Sequence, residues 1–419
     1  MIRVTILALG SRGDVQPYLN LGEGLHRAGH RVALISFGNF RRLVEDRGLD
    51  FYPIRGDPRQ ILAGAAGQAL ASSGQNILRM WSAVMRSFGD LTRTLPSDLD
   101  LAAVRDSDVL ISQLPGGIYA YDVAEKHGIR LVRAEVLPMT ETSAFPMIPF
   151  PTSLSFVPGY NRLSFHLAAR IMWSGFGPSI NRWRKVTLGL PPWGWAGPFG
   201  RVHAEKVPVL CGFSRHVVPP PPDWGDHVHV TGYWFPGEKE WSPDEGLVQF
   251  LESGPAPVFL GFGSMPVGDP ERTTALLLAA VRLSGHRAVI QAGWGGLGQA
   301  SLPENVWRLG EAPYEWLFPR MSALVHHGGS GTTALGLRAG VPAVIVPFVF
   351  DQFYWGNRLA ELGAGPRPIP FRRLTAERLA EAIQAAGDAG VRRRAADLGS
   401  KVRAEDGVGK AIQILEAGI

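Results

Sequence analysis

The octapeptide HHGGSGTT, His326 to Thr333, places two imidazoles, three glycines and three hydroxyls between the apolar runs SALV and VPAVIVPF. A strand that gives way to a helix at such a turn leaves backbone N–H groups unpaired, with the helix dipole behind them, and that combination favours a phosphate. Gly328, Gly329 and Gly331 let the backbone approach an anion, His326 or His327 can add a ring donor, and Ser330, Thr332 and Thr333 add hydroxyls. No lysine follows the glycines as in a Walker loop, and the spacing is not G-x-G-x-x-G. Two further loops have the same character. GFGSM offers N–H groups and Ser264, and PFVFDQ ends an apolar run with Asp351 and Gln352. An adjacent acid and amide can hold several hydroxyls of one sugar. Each loop alone is equally an ordinary strand-end turn; together they describe a diphosphate beside a polyol, which is a nucleotide sugar.

Other clusters have plainer readings. Adjacent histidines on an extended segment point to opposite sides, so His326 and His327 do not share one metal, and no Cys or carboxylate stands nearby at zinc-site spacing. His227 and His229 fall on one face of a short strand, the pattern of a polar edge. Arg12-Gly13-Asp14 is a loop between strand and helix, and Arg392 to Arg394 is a solvated helix face. No metal and no nucleic-acid partner are expected. A single cysteine, Cys211, excludes a disulfide within the chain and fits a reducing compartment. The N-terminal MIRVTILALGSRGD lacks the features of a secretory signal, and no apolar run approaches the ~20 residues of a membrane helix. A cytoplasmic location follows as the expectation, with at most peripheral contact with a membrane.

These loops need elements to position them. RVTILAL reads as a buried strand, and after GSRGD the set Val15, Tyr18, Leu19, Gly22, Leu25 and Ala28 has helical spacing, with Pro17 in the first turn and Gly29 at the end. HRVALISF is the next strand. Strand, helix, strand is a βαβ unit and implies a parallel sheet. DVLISQ, IRLVRA, VPVLCGF and HVHVTG read as further strands of this half, and PVFLGFGSM opens a second half. There DPERTTALLLAAVRLSG is a helix capped by Asp269 and closed by Gly285, RAVIQAG is a strand, and TTALGLRAG is a helix closed by Gly340. At 419 residues, with 45% hydrophobic and 19% charged, the chain has room for two well-packed domains. The expected fold class is α/β, two Rossmann-like doubly wound domains facing each other across a cleft: residues 1–235, a linker at 236–241, and residues 242–419, with the last helix packing back on the first domain. Between Phe145 and Trp195 aromatics, prolines and glycines prevail, a segment equally suited to holding an apolar ligand and to packing a core.

GSRGDVQPYLNLGEGLHRAGHRV, GFGSMP and APYEWLFPRMSALVHHGGSGTTALGLRAGVPAVIVPFVFDQFYWGNRL together resemble the GT-B glycosyltransferases that use nucleotide-diphosphate sugars. Within them the chain is most similar to the branch of sterol glucosyltransferases and bacterial macrolide or glycopeptide glycosyltransferases. That resemblance implies a catalytic base at Asp14. It implies diphosphate contacts from Ser264, His326, Gly329, Ser330, Gly331 and Thr332, sugar contacts from Asp351 and Gln352, and nucleoside contacts from Trp294, Ala312 and Pro313. The tryptophan that stacks on uracil in plant relatives falls at Glu311, and their second acid has no counterpart near Gln113.

The implied reaction is transfer of a hexose, glucose from UDP-glucose, to a hydroxyl of an apolar small molecule such as a sterol, triterpenoid or macrolide aglycone. It is expected to invert the anomeric centre and to need no metal or other cofactor, helix N-termini stabilising the departing diphosphate. Asp14 also suits a helix cap. Two rival readings are a GT-B sugar epimerase and a catalytically silent partner that binds the donor or the aglycone.

Overall fold

Short runs of Val, Ile and Leu bounded by glycine become strands buried on both faces, the pattern of a parallel sheet covered by helices. All the strand pairs are parallel in the computed structural model, which describes residues 1–64, 81–83, 102–113, 116–237, 241–299 and 301–418. One compact unit consists of Met1–Ile61, Trp81–Gly237 and Asp406–Ile419, and a second includes Glu238–Glu405. Within the linker expected at 236–241, residues 238–240 lie outside the described ones.

The first unit holds β1 (Arg3–Leu7), β2 (Arg31–Phe37), β3 (Asp50–Ile54), β4 (Val109–Ser112), β5 (Arg130–Glu135), β6 (Val209–Cys211) and β7 (Val228–Val230). They form one sheet in the order β3-β2-β1-β4-β5-β6-β7. Its core gathers Ile6, Leu19, Leu34 and Ile111 with Trp173, Ile180 and Trp183 from the helix Tyr160–Trp183. The inner side of the aromatic segment is therefore core. The helix Gly407–Glu416 also belongs here: a methyl group on Gly24 would come within 2.3 Å of Val408, and Glu416 meets His30 at 3.1 Å.

The second unit holds β8 (Val258–Gly261), β9 (Ala288–Gln291), β10 (Val306–Leu309), β11 (Ala323–His326) and β12 (Ala343–Ile345), in the order β10-β9-β8-β11-β12. Asp269 accepts from the N–H of Arg272 at 3.0 Å and Gly285 takes the left-handed conformation, so the helix Pro270–Ser284 starts and stops at those residues.

One expectation is corrected. Helix α1 spans Arg12–Arg27 and does not begin at Val15; Ser11 is its N-cap, and Pro17 lies inside it.

Candidate functional site

In an open parallel sheet, ligands bind beyond the carboxyl ends of the strands where the chain reverses its winding direction. Each sheet here has one such point. In the first unit it lies between β1 and β4, and in the second between β8 and β11.

At the first, β1 runs into Gly10, whose φ of +127° only glycine adopts readily. Ser11 then caps α1 and Asp14 is its third residue. The backbone N–H of Ser11 donates to Asp14 Oδ2 at 2.7 Å and the Ser11 hydroxyl donates to the same oxygen at 2.8 Å. Asp14 therefore closes a capping box, and a methyl group on Gly10 would lie 2.5 Å from Oδ2. Asp14 as a whole residue is exposed, yet the protein around its carboxyl raises the pKa by desolvation, which outweighs the lowering by Ser11. Gln113, at the end of β4, donates from Nε2 to the carbonyl of Leu9 and so ties the loop to the neighbouring strand. Gln113 is a brace here, not a second acid.

At the second, Gly261 and His326 end paired strands, so GFGSM and HHGGSG leave the sheet side by side. His326 is fully buried. Its Nδ1 accepts from the N–H of Gly328 at 3.1 Å, which puts the ring proton on Nε2, and Nε2 has no hydrogen-bond partner. Burial holds this imidazole well below its ordinary pKa and takes that of His327 down to about 4, so both are neutral at physiological pH. Their rings lie 6.2 Å apart at 79°. His327 is wedged between the two loops, for a methyl group on Gly263 would sit 3.0 Å from its ring and one on Gly329 only 2.4 Å. Gly329 is the N-cap of the helix Ser330–Ala339, whose first bond closes from the Thr333 N–H to the Gly329 carbonyl at 3.0 Å. The N–H groups of Ser330, Gly331 and Thr332 thus precede the intrahelical ladder, and the buried Thr333 hydroxyl lacks a hydrogen-bond partner. An anion seated there would meet several donors and no opposing carboxylate of this loop.

The loop after β12 joins this constellation through Phe350, a non-glycine residue at φ +51° and ψ −119°. That conformation costs roughly 1–3 kcal/mol and is held from outside. Gln352 supplies the hold: its Oε1 accepts from the N–H groups of Phe348 at 2.8 Å and Val349 at 3.3 Å. Its Nε2 donates to the thioether of Met265, 3.1 Å away in the loop after β8. Asp351 begins the helix Asp351–Glu361, half-buried. Trp294, after β9, donates its backbone N–H to the Gly263 carbonyl at 2.8 Å, and Gly293 approaches that carbonyl so closely that a methyl group would lie 2.3 Å from it.

Ser264, His326 to Thr332, Trp294 and Gln352 therefore belong to one set of interlocked loops, with Asp351 beside Gln352. Ala312 and Pro313 sit after β10, two strands from β8, and Pro313 caps the short helix Tyr314–Leu317. Gly10, Ser11, Met265 and Gly293 also hold these loops in place. The positive φ of Gly10 and the close approach of Gly293 have a trace in the sequence, a glycine at a strand end; the Met265 link has none. Among the described residues no three His, Cys, Asp or Glu side chains cluster as metal ligands.

Residues 4–146 match the glycosyltransferase family 28 N-terminal domain, and residues 277–417 match the C-terminal domain of erythromycin biosynthesis protein CIII-like proteins. A sterol 3-beta-glucosyltransferase of Arabidopsis thaliana is 37% identical over 423 residues, 98% of this chain and 67% of the relative. One of Yarrowia lipolytica is 36% identical over 426 residues, and the chain spans 28% of that protein's length. Among solved structures, the spinosyn rhamnosyltransferase complexed with spinosyn aglycone has a TM-score of 0.66 at 18% identity and covers 99% of this chain, itself covered completely. The kitacinnamycin glycosyltransferase has a TM-score of 0.66 at 21% identity, covering 99% of this chain and 98% of its own. Two parallel-sheet units with glycine-rich loops at their switch points, and similarity over 98% of this chain to a sterol glucosyltransferase, place the chain in the UDP-glycosyltransferase superfamily, in the branch of the sterol and macrolide or glycopeptide glycosyltransferases.

Proposed function

We propose that this chain transfers glucose from UDP-glucose to a hydroxyl of a sterol or similar apolar aglycone, with inversion at the anomeric carbon. The observation that carries the donor half is the buried, unpartnered Nε2–H of His326, with the buried, unpartnered hydroxyl of Thr333 in the first turn of the helix Ser330–Ala339. A diphosphate satisfies both, and the negative charge that grows on it as the glycosidic bond breaks is stabilised by donors already in place. Ser264 and the loop 328–332 hold the diphosphate; Asp351 and Gln352 hold the sugar; Trp294, Ala312 and Pro313 hold the nucleoside. The acceptor class comes from the sterol glucosyltransferases to which the chain is similar, and such acceptors partition into lipid, so peripheral contact with a membrane belongs to the same proposal.

Asp14 is the base. As the acceptor oxygen attacks the anomeric carbon, its proton passes to Asp14 and the bond to the UDP oxygen breaks on the opposite face. Desolvation makes this carboxylate more basic than a free one, and the capping box fixes where its oxygens lie. The reaction as proposed uses no metal.

The test is Asp14→Asn, whose one carboxamide oxygen can still accept the two hydrogen bonds from Ser11 but which cannot take the proton. With EDTA present, kcat for glucose transfer to a sterol is expected to fall about 10²–10⁴-fold, while calorimetric titration gives an unchanged Kd for UDP-glucose. Transfer within twofold of wild type would remove Asp14 as the base. Wild-type protein that binds neither UDP-glucose nor UDP would overturn the donor reading.

A further inference from the structure

Between Glu141 and Glu205 the chain contains no acidic residue, while Arg162, Arg170, Arg182, Arg184, Lys185 and Arg201 fall in the same stretch. Exposed large hydrophobics concentrate there as well. Of the nine among the described residues, seven lie between Leu154 and Trp195. Neither bias is needed for the core, because the inner side of the helix Tyr160–Trp183 already packs Trp173, Phe176, Ile180 and Trp183.

The outer side is built. The loop before the helix is closed by the Tyr160 hydroxyl, which donates to the Pro151 carbonyl at 3.0 Å, and it presents Phe156 at 80% exposure. One turn into the helix, Leu163 and Leu167 lie side by side four residues apart, 53% and 43% exposed. Arg170 follows on that face, its guanidinium 3.3 Å from the ring centroid of Trp195, which is 82% exposed. Two carboxylates from neighbouring segments face this side, and both are engaged: Asp223 with Arg162 at 3.0 Å, Glu141 beside His166 at 3.6 Å. Arg170, Arg182 and Lys185 meet no carboxylate among the described residues.

We propose that this face docks on an anionic lipid surface, with Phe156, Leu163, Leu167 and Trp195 entering the boundary between headgroups and acyl chains and the basic side chains meeting lipid phosphates. No described helix is long and apolar enough to cross a membrane, so the contact lies in the plane of the surface. A second copy is the poorer occupant. A twofold interface sets like against like, and here it would bring unpaired cations on both sides together. The inference deepens the membrane contact proposed above by naming the face and the lipid charge, and it rests on exposure and charge, not on the transfer reaction.

Co-flotation of the full chain with sterol-free vesicles tests it, using phosphatidylcholine alone and phosphatidylcholine with about 30% phosphatidylglycerol. Binding is expected to the anionic vesicles only and to weaken roughly tenfold or more at about 0.5 M salt, where screening shortens. The triple variant Phe156→Ser, Leu163→Ser, Leu167→Ser changes exposed residues only. It is expected to keep the wild-type unfolding temperature and circular dichroism while losing at least about tenfold in vesicle affinity. Absence of wild-type binding to anionic vesicles overturns the proposal, as does binding that the variant retains. A wild-type dimer that the variant dissociates, with no flotation of either, also overturns it and assigns the face to self-association. The vesicles contain neither donor nor sterol, so failure of the transferase reading leaves this result intact.

Discussion

A carboxylate that closes a helix cap is ordinarily held toward its charged form, and the two hydrogen bonds from Ser11 act on Asp14 in that sense. Desolvation acts oppositely and prevails, so the pKa lies above its ordinary value. For Asp14 in its proposed role as base the sign follows directly: activity is expected to rise with pH as it loses its proton. Ser11→Ala removes the hydroxyl donor and leaves the backbone one, so one of the lowering influences disappears and the pKa climbs further. The acidic limb of kcat/KM is expected at higher pH in the variant than in the wild type, with a stability loss of about 1 kcal/mol from the missing cap. A limb that stays in place, or moves down, would mean that another group titrates. Gln352 shows a related economy: its oxygen braces the strained turn at Phe350, while its nitrogen rests on a sulfur, a weak acceptor that a sugar hydroxyl can replace.

At the scale of elements, the second unit works by interlock. The loop after β9 touches the loop after β8 through Gly293, whose missing side chain leaves only 2.3 Å between a would-be methyl group and the Gly263 carbonyl. Backbone cannot step aside as a side chain can, so Gly293→Ala must separate the two loops. We expect a donor KM at least about tenfold higher with a stability cost of roughly 1–3 kcal/mol; steady-state kinetics and thermal unfolding read the two, and an unchanged KM would show that the interlock does not shape the donor site. The polar loops were legible in the sequence because each strand end needs glycine or a hydroxyl where a ligand or another loop comes close, and those residue types stand out against apolar strands. What hid was set by position in the sheet. Strands β3 and β10 are edges, partly exposed, and β3 contains Pro53, so neither gives the continuous apolar run of β8 or β11. The start of α1 is likewise hidden in the sequence, since Arg12 and Gly13 are exposed and the apolar period begins only at Val15. The contact between Met265 and Gln352 joins positions 87 residues apart and leaves no local pattern.

Over the whole chain, the last helix is counted with the first unit although it follows the second in sequence. Ala411 and Leu415 are buried in the first unit's core, and Val408, Ile412 and Ile414 pack against it. At about 1.5–3 kcal/mol for a large side chain fully buried, Leu415 alone contributes about that much and the partly buried Val408, Ile412 and Ile414 add to it, a sizeable share of the total stability of an ordinary domain, about 5–15 kcal/mol. Ending the chain after Glu405 therefore does more than trim a tail. In scanning calorimetry the truncated protein is expected to lose or sharply lower the transition of the first unit, whereas the second unit, built from Glu238–Glu405, melts where it did. Leu415→Ala keeps the full chain and provides the graded version, with a cost of about 2–5 kcal/mol confined to that same transition. Equal shifts of both transitions would mean that the helix stabilises the two units together, and no shift in either would mean that it contributes to neither core in solution. The selective loss is the outcome that the packing of Gly24 against Val408 and of His30 against Glu416 demands, because both contacts lie within the first unit.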